Sequence, residues 1–371
     1  MSRVLTTLLT PLTTRQRLDL LAHAYPRLFP RAELIRLLRA QFGHIDALDG
    51  WISRDGVRVR ARTPKLIYHV CAGNLAVSAW TSLMHGLLLG ARNVVKLPGD
   101  RDDSSARGEI LRFIRGLPAP LRKLVETHRK LDVEILRRAD AVVAFGSDAT
   151  MASLRDQTRW DQKFIAHGHA LSLLWISDPS LLTTLQARAC SRDILTYDQL
   201  GCLSPQAIYV PRGADIVALG NKLAVALEAH WRTIKLKPAR PLSIAARIVE
   251  ARDVAHALGH RVWLSPQNHL GWMLIHDPDP TFQPSPLHGV IYLREIAESK
   301  LTAALASVAG RISTVGVAGG ISSRLENVFL SLGVSRFCPA GHMQFPPLTW
   351  HHDGRSTLGD MVTWVDSERG A

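Results

Sequence analysis

The sequence predicts an α/β protein, with a Rossmann-like parallel sheet in its first half and a second α/β region after it. Three observations predict this. Leu66-Ile67-Tyr68-His69-Val70-Cys71, the apolar stretch from Leu75 to Ala91, and Asn93-Val94-Val95-Lys96-Leu97-Pro98 make a strand–helix–strand unit, the building block of a parallel sheet. Ala141-Val142-Val143-Ala144-Phe145 is a further buried strand, ending in Gly146-Ser147-Asp148, a turn that opens a helix. After Gly168-His169 the alternation of strands and helices resumes and runs to about Leu332. A chain of 371 residues that is 46% hydrophobic can bury the two or three cores this requires.

Taken in order, residues 1–60 read as amphipathic helices broken by Pro26, Pro30 and Gly43, with Leu18, Leu21, Leu34, Leu37 and Leu38 at helical spacing. The run from Leu75 to Ala91 holds Ser78, Thr81, Ser82, His85 and Gly86, so it is too short and too polar to span a bilayer and reads as a buried helix. Residues from about 105 to 138 read as helical, followed by the strand at Ala141 and a helix from Ala149 to Arg155. Open parallel sheets bind ligands at the carboxyl ends of their strands, where Gly73-Asn74 and Gly146-Ser147 fall. The GxGxxG fingerprint is absent. Further strands are expected at Leu171–Ile176, Gly289–Leu293 and Thr314–Ala318, with helices at Pro179–Ser191, Gly220–His230, Glu295–Val308 and Arg324–Leu332. The tail from Val334 to Asp366 is dense in Pro, His and Trp and reads as ending in an amphipathic helix.

The formal net charge of +13 suits an acidic partner. The basic residues are scattered over helical polar faces, with no zinc finger, RNP-type strand or basic-region helix, which argues against nucleic acid. The apolar stretches before residue 30 are interrupted by Arg15, Arg17 and Asp19 and do not resemble a signal peptide. Cys71, Cys190, Cys202 and Cys338 are widely spaced, without CxxC, so a cytoplasmic setting with reduced thiols is expected.

The chemistry centres on Tyr197-Asp198-Gln199-Leu200-Gly201-Cys202-Leu203-Ser204-Pro205-Gln206. A thiol on a sharp turn entering the apolar run Ala207-Ile208-Tyr209-Val210 meets substrate beside backbone N–H groups, as a nucleophile must. The alternative is a buried structural cysteine. His351-His352-Asp353 invites a metal reading, but adjacent histidines on an irregular segment rarely chelate one ion, and no metal is expected.

These stretches resemble the aldehyde dehydrogenase superfamily and, within it, the LuxC-type acyl-CoA reductases. The carrying residues are Gly73-Asn74, Val94-Val95-Lys96-Leu97-Pro98, Val143-Ala144-Phe145-Gly146-Ser147-Asp148, Gly168-His169-Ala170-Leu171-Ser172, the Cys202 decapeptide, and Met343-Gln344-Phe345-Pro346-Pro347-Leu348-Thr349-Trp350-His351-His352-Asp353-Gly354. They fall in family order over roughly residues 65–366. The resemblance implies an aldehyde-dehydrogenase-like fold: an N-terminal helical region (1–60), a nucleotide-binding domain (61–180), a catalytic thiol domain (181–333) and a C-terminal segment (334–371) packing back on the core. It implies that Cys202 attacks an acyl thioester, on CoA or a carrier protein, and that hydride from a nicotinamide releases the aldehyde. Asn74 matches the asparagine that, with the cysteine's own N–H, stabilises the oxyanion; its plainer reading is a turn or helix cap.

Lys96 is similar to the lysine that contacts the cofactor's adenosine ribose, and Gly146 and Ser147 to the turn beside the pyrophosphate. Gly99 stands where many NAD-using members carry a ribose-binding glutamate, and Arg101 lies close enough to pair with a 2′-phosphate, so NADPH is expected. The glutamate base of hydrolytic members is missing; Ile165-Ala166-His167-Gly168-His169 stands there, and His169 first, then His167, is expected as acid or base. The expected partners are an acyl-CoA or acyl-carrier substrate and an acyl-protein synthetase, within a homo-oligomer. The competing readings are a cysteine-dependent acyltransferase or thioesterase that uses no nicotinamide, and a non-catalytic scaffold.

Overall fold

The structure is a computed structural model that describes residues 12–99, 105–235 and 240–368. The chain divides into two compact units, Met1–Gly168 with Pro347–Ala371, and His169–Pro346.

In the first unit the strands are β1 (Ile52–Arg54), β2 (Val57–Arg62), β3 (Leu66–Val70), β4 (Arg92–Lys96), β5 (Val125–His128), β6 (Ala141–Phe145) and β7 (Lys163–His167). β5-β4-β3-β6-β7 form a parallel sheet in that order, with Val70 opposite Lys96 and Phe145 opposite His167. Both faces of its central strands are covered, which is why they read as unbroken apolar runs. The helix Ala76–Leu89 shares its core with Leu18 and Leu21 of the helix Thr14–Ala24 and Leu34 and Leu38 of the helix Arg31–Phe42. A Cβ on Gly86 would lie 1.8 Å from Asn93 Oδ1, so this position must be glycine for the helix to sit against β4. Beneath it, His69 is buried with Nδ1 2.7 Å from Ser82 Oγ and Nε2 3.0 Å from Asn93 Oδ1.

Three local expectations change. The region from 105 to 138 is not continuously helical: the helices Ser105–Gly116 and Val133–Arg138 flank β5, whose Val125-Glu126-Thr127-His128 pairs in parallel with β4. The N-terminal region ends in the β1–β2 hairpin, turned by Asp55 and Gly56 in left-handed backbone. The tail ends in a strand, Thr363–Ser367, antiparallel to β2, and not in a helix. β-prone Thr363, Trp364 and Val365 pair with the β2 edge, and Trp364 reaches the ring of Phe42.

The second unit is built on β8 (Leu171–Ile176), β9 (Pro205–Pro211), β10 (Arg261–Leu264), β11 (Met273–His276), β12 (Val290–Ile296), β13 (Ile312–Ala318) and β14 (Arg336–Pro339). They form one sheet in the order β10-β11-β12-β9-β8-β13-β14, parallel throughout except for β10 against β11. The helices Thr184–Leu195 and Ile216–Thr233 pack on one core, and the helix Ser323–Ser331 with the short helical turns of 298–308 on another. The helix expected over Glu295–Val308 is thereby split, because Glu295 and Ile296 still belong to β12. Among the described residues no helix is long and apolar enough to cross a membrane.

Candidate active site

Cys202 lies, half-buried, on the turn that enters β9, between the 3-10 turn Thr196–Gln199 and Pro205. Its own carbonyl accepts a hydrogen bond of 2.7 Å from the Ser172 hydroxyl on β8. Just before it, Tyr197, Asp198 and Gln199 all have left-handed backbone, with φ of 56°, 53° and 62°. Left-handed backbone costs a non-glycine residue roughly 1–2 kcal/mol, so three in succession persist only where the surroundings hold them.

The surroundings do so through two side chains. The Asp198 carboxylate accepts a two-pronged pair of 2.7 Å bonds from Arg240 and lies 2.5 Å from His288 Nδ1. All three side chains are nearly buried, and the Arg240 fork also donates to the carbonyls of Leu270 and His288. Gln199 is fully buried; its amide donates to Pro205 O at 2.8 Å and Val290 O at 2.9 Å, and its oxygen accepts from Gly289 N at 2.9 Å. The facing loop is left-handed too, at Leu287, His288 and Gly289 (φ 68°, 57° and 87°). Two unfavourable triplets are thus locked to each other by buried hydrogen bonds. Gly289 is obligatory, since a Cβ there would lie 2.8 Å from Gly271 O.

Behind the turn, Gln344 donates to Ser204 Oγ at 3.0 Å and to Asp193 O at 2.8 Å. The Asp193 carboxylate in turn accepts from the backbone N–H groups of Gly341 and Met343. Burial pushes the Asp193 carboxyl up to about 6, despite these two donors.

In the first unit, Asn74, Lys96, Gly146 and Ser147 all follow the carboxyl ends of strands of the one parallel sheet. Asn74 is exposed in the turn after β3, one residue before Leu75, the cap position of the following helix. Lys96 ends β4, half-buried, close enough for its charge to act on the Cys71 thiol, which burial nevertheless pushes up to about 12. Ser147 caps the helix Asp148–Gln157, its hydroxyl accepting from Thr150 N at 3.2 Å, while Gly146 N donates to His167 O. Among the described residues nothing lies within 4 Å of a Cβ placed on Gly99. Arg101 lies outside the described residues.

The two histidines of the His167-Gly168-His169 stretch have different surroundings. His169 is exposed and begins the second unit. His167 is buried at the end of β7, with Nδ1 2.8 Å from Asp353 Oδ2. Burial pushes the Asp353 carboxyl up, but the His167 hydrogen bond and the charges of His352 and Arg355 outweigh it and hold it below the usual carboxylate range. An ionised carboxylate only accepts, so His167 Nδ1 carries the proton. The His167 ring stacks on Phe145, 4.7 Å away and 12° from parallel, and on His352, 4.1 Å away. Trp350 also stacks on His352, whose pKa burial lowers to about 4. His167, His352 and Asp353 bring ligand atoms within 4.8 Å of one another. The two imidazoles, however, are stacked at 27°, so their in-plane lone pairs run nearly side by side and do not converge on one ion. The arrangement is that of an aspartate orienting a histidine through Nδ1.

The sequence ranks His169 ahead of His167 and gives Asp353 no role beside either; 186 residues separate Asp353 from His167, and only the fold joins them. Asp198 and Gln199 stood in the cysteine stretch without a role, and nothing in the sequence singled out Arg240 or His288.

Solved structures place this fold among the aldehyde dehydrogenases. Aldehyde dehydrogenase 21 from Physcomitrella patens superposes with a TM-score of 0.64 at 15% identity, covering 95% of this chain and 85% of that one. Methylmalonate-semialdehyde dehydrogenase from Oceanimonas doudoroffii gives 0.63 at 14%, covering 97% and 86%. The family model described as acyl-CoA reductase (LuxC) matches residues 3–364, and the chain belongs to that family. It is similar to the long-chain acyl-protein thioester reductases of Aliivibrio fischeri, 23% identical over 355 residues, covering 91% of this chain and 71% of that one, and Vibrio harveyi, 24% over 356 residues, covering 91% and 72%. The protein is therefore an acyl-thioester-reducing enzyme on an aldehyde-dehydrogenase scaffold.

Proposed function

We propose that this enzyme reduces a long-chain acyl thioester, carried by a protein or by CoA, to the aldehyde with NADPH, through an acyl-enzyme on Cys202. The observation that carries the reading is the Cys202 turn, held in an unfavourable backbone by buried Asp198, Gln199 and Arg240. Such backbone strain is maintained where it presents a reacting group.

The Cys202 thiolate attacks the thioester carbonyl, the carbon–sulfur bond to the carrier breaks, and the carrier leaves as its thiolate. The oxyanion formed needs hydrogen-bond donors, the role that the resemblance assigns to an asparagine amide, matched by Asn74, and to the N–H of the cysteine itself. A bound nicotinamide supplies hydride to the acyl carbon. Collapse of the resulting thiohemiacetal oxyanion expels the Cys202 thiolate and frees the aldehyde. The Asp353–His167 dyad handles the proton on the oxygen or the departing carrier thiol, with His169 as a second candidate. Lys96 and the Gly146-Ser147 turn hold the nucleotide at the carboxyl edge of the parallel sheet; Gly99 stands in place of the ribose-binding glutamate that would repel a 2′-phosphate, for which Arg101 is the counter-charge. A Sinorhizobium meliloti structure of the same fold (TM-score 0.62, 14% identity, 97% and 85% coverage) was solved with NAD, which supports a nicotinamide cofactor. The names of the relatives support a protein-borne acyl group, and an acyl-protein synthetase is the partner proposed to supply it.

The test is intact-protein mass spectrometry after exposure to acyl-CoAs and acyl-carrier proteins. A single acyl adduct, lost in Cys202→Ala, is expected; adduct that persists in Cys202→Ala refutes the assignment.

A further inference from the structure

The strained turn in front of Cys202 has a holder that the reaction itself does not consume. Asp198 is nearly buried, meets Arg240 through two bonds of 2.7 Å and His288 through one of 2.5 Å, and sits at φ 53° in the middle of three left-handed residues. Arg240 anchors the arrangement from outside the turn by donating to Leu270 O and His288 O. A two-pronged charged contact fixes orientation as well as distance. Cys202 itself is tied at its carbonyl by Ser172, so the segment between the Asp198 clasp and the Ser172 bond is short and fastened at both ends.

We propose that Asp198, clasped by Arg240 and His288, is a positioning residue that keeps Tyr197–Gln199 left-handed and so fixes where the Cys202 thiol is delivered. This rests on the reading of Cys202 as the acylated residue, but its structural half stands apart from that reading. Without the clasp the three residues relax towards ordinary backbone and the thiol leaves both its partial shelter and its line of attack. Acylation by a thioester then slows, because attack needs a defined geometry. Alkylation by a small haloacetamide, which needs no such geometry, speeds up.

The experiment measures both rates at Cys202 by mass spectrometry in wild type, Asp198→Asn, Arg240→Lys and the double variant Tyr197→Gly/Asp198→Asn. Glycine adopts left-handed backbone at no steric cost, so it replaces the clasp without restoring its charge. Expected for Asp198→Asn is acylation slower by roughly 10–100-fold at unchanged half-saturation for the thioester, the pattern of a lost interaction made only in the transition state. Iodoacetamide labelling of Cys202 is expected to rise several-fold while buried Cys71 and Cys190 stay unlabelled. Arg240→Lys is expected to behave alike, and Tyr197→Gly/Asp198→Asn to recover about tenfold of the lost acylation rate. Unchanged Cys202 labelling in both single variants overturns the proposal. So does labelling of Cys71 and Cys190 together with Cys202 and no recovery in the double variant, which marks general unfolding. If wild type is not acylated by any thioester, the acyl-enzyme reading fails, while the labelling comparison still decides whether the clasp holds the turn.

Discussion

Asp353→Asn removes the charge that orients His167 with little change of shape. The bond it weakens is a 2.8 Å contact to an ionised carboxylate at a buried ring. Hydrogen bonds to charged groups contribute about 1.5–3 kcal/mol, and 1.36 kcal/mol is tenfold in rate, so a step that relies on the oriented imidazole slows by roughly 10–100-fold. An asparagine can also offer its NH2 to Nδ1, which selects the other tautomer and moves the proton to Nε2. The assay is a single turnover: Cys202 is first acylated to completion, the nicotinamide is added, and aldehyde release is followed in time. Wild-type and variant enzyme are compared at equal acyl loading, so a slower discharge cannot come from poorer acylation. Discharge at the wild-type rate would refute the dyad as the proton-handling group and return the role to His169.

Further outcomes follow from other parts of the fold. Asp193 is raised by burial to about 6 from 3.8, so its contribution to stability is fully present below pH 3.8 and is lost as pH rises through 6. The loss amounts to about 3 kcal/mol; the stability advantage of wild type over Asp193→Asn should therefore shrink from pH 4 to pH 7, and a gap that widens contradicts it. His85 is lowered by burial to about 3 from 6.5, so the stability it permits is present above pH 6.5 and is lost as pH falls through 3. Its Nε2 has no hydrogen-bond partner among the described residues, and His85→Leu should keep neutral-pH stability within ~1 kcal/mol and move acid unfolding to lower pH. Ser172→Ala removes the hydrogen bond to the Cys202 carbonyl and should cost about 0.5–1.5 kcal/mol in denaturant melts, with acylation slowed as well; unchanged acylation would mean that the Ser172 tie does not position the thiol.

The parallel sheet of the first unit was legible because its central strands are buried on both faces and read as apolar runs, whereas β5 was missed because Val125-Glu126-Thr127-His128 is a polar edge strand. The closing strand Thr363–Ser367 was read as helix because its pairing partner, β2, lies some 300 residues earlier and local periodicity carries no trace of it. At the candidate site, the cysteine was visible from its turn and the following apolar run. The groups that hold the turn were not, because Arg240 and His288 reach Asp198 from 42 and 90 residues away. Likewise the His351-His352-Asp353 tail showed no role in the sequence, because the contact of Asp353 with His167 and the stacking of His352 on it exist only in the fold.

The most direct test of the acyl-enzyme account uses enzyme loaded with an acyl group on Cys202, freed of excess thioester, and given NADPH carrying deuterium at the transferable position. The account predicts loss of the acyl mass from Cys202 and formation of one equivalent of aldehyde bearing one deuterium at its carbonyl carbon. Release of unlabelled carboxylic acid, or an acyl group that stays on Cys202, would contradict it.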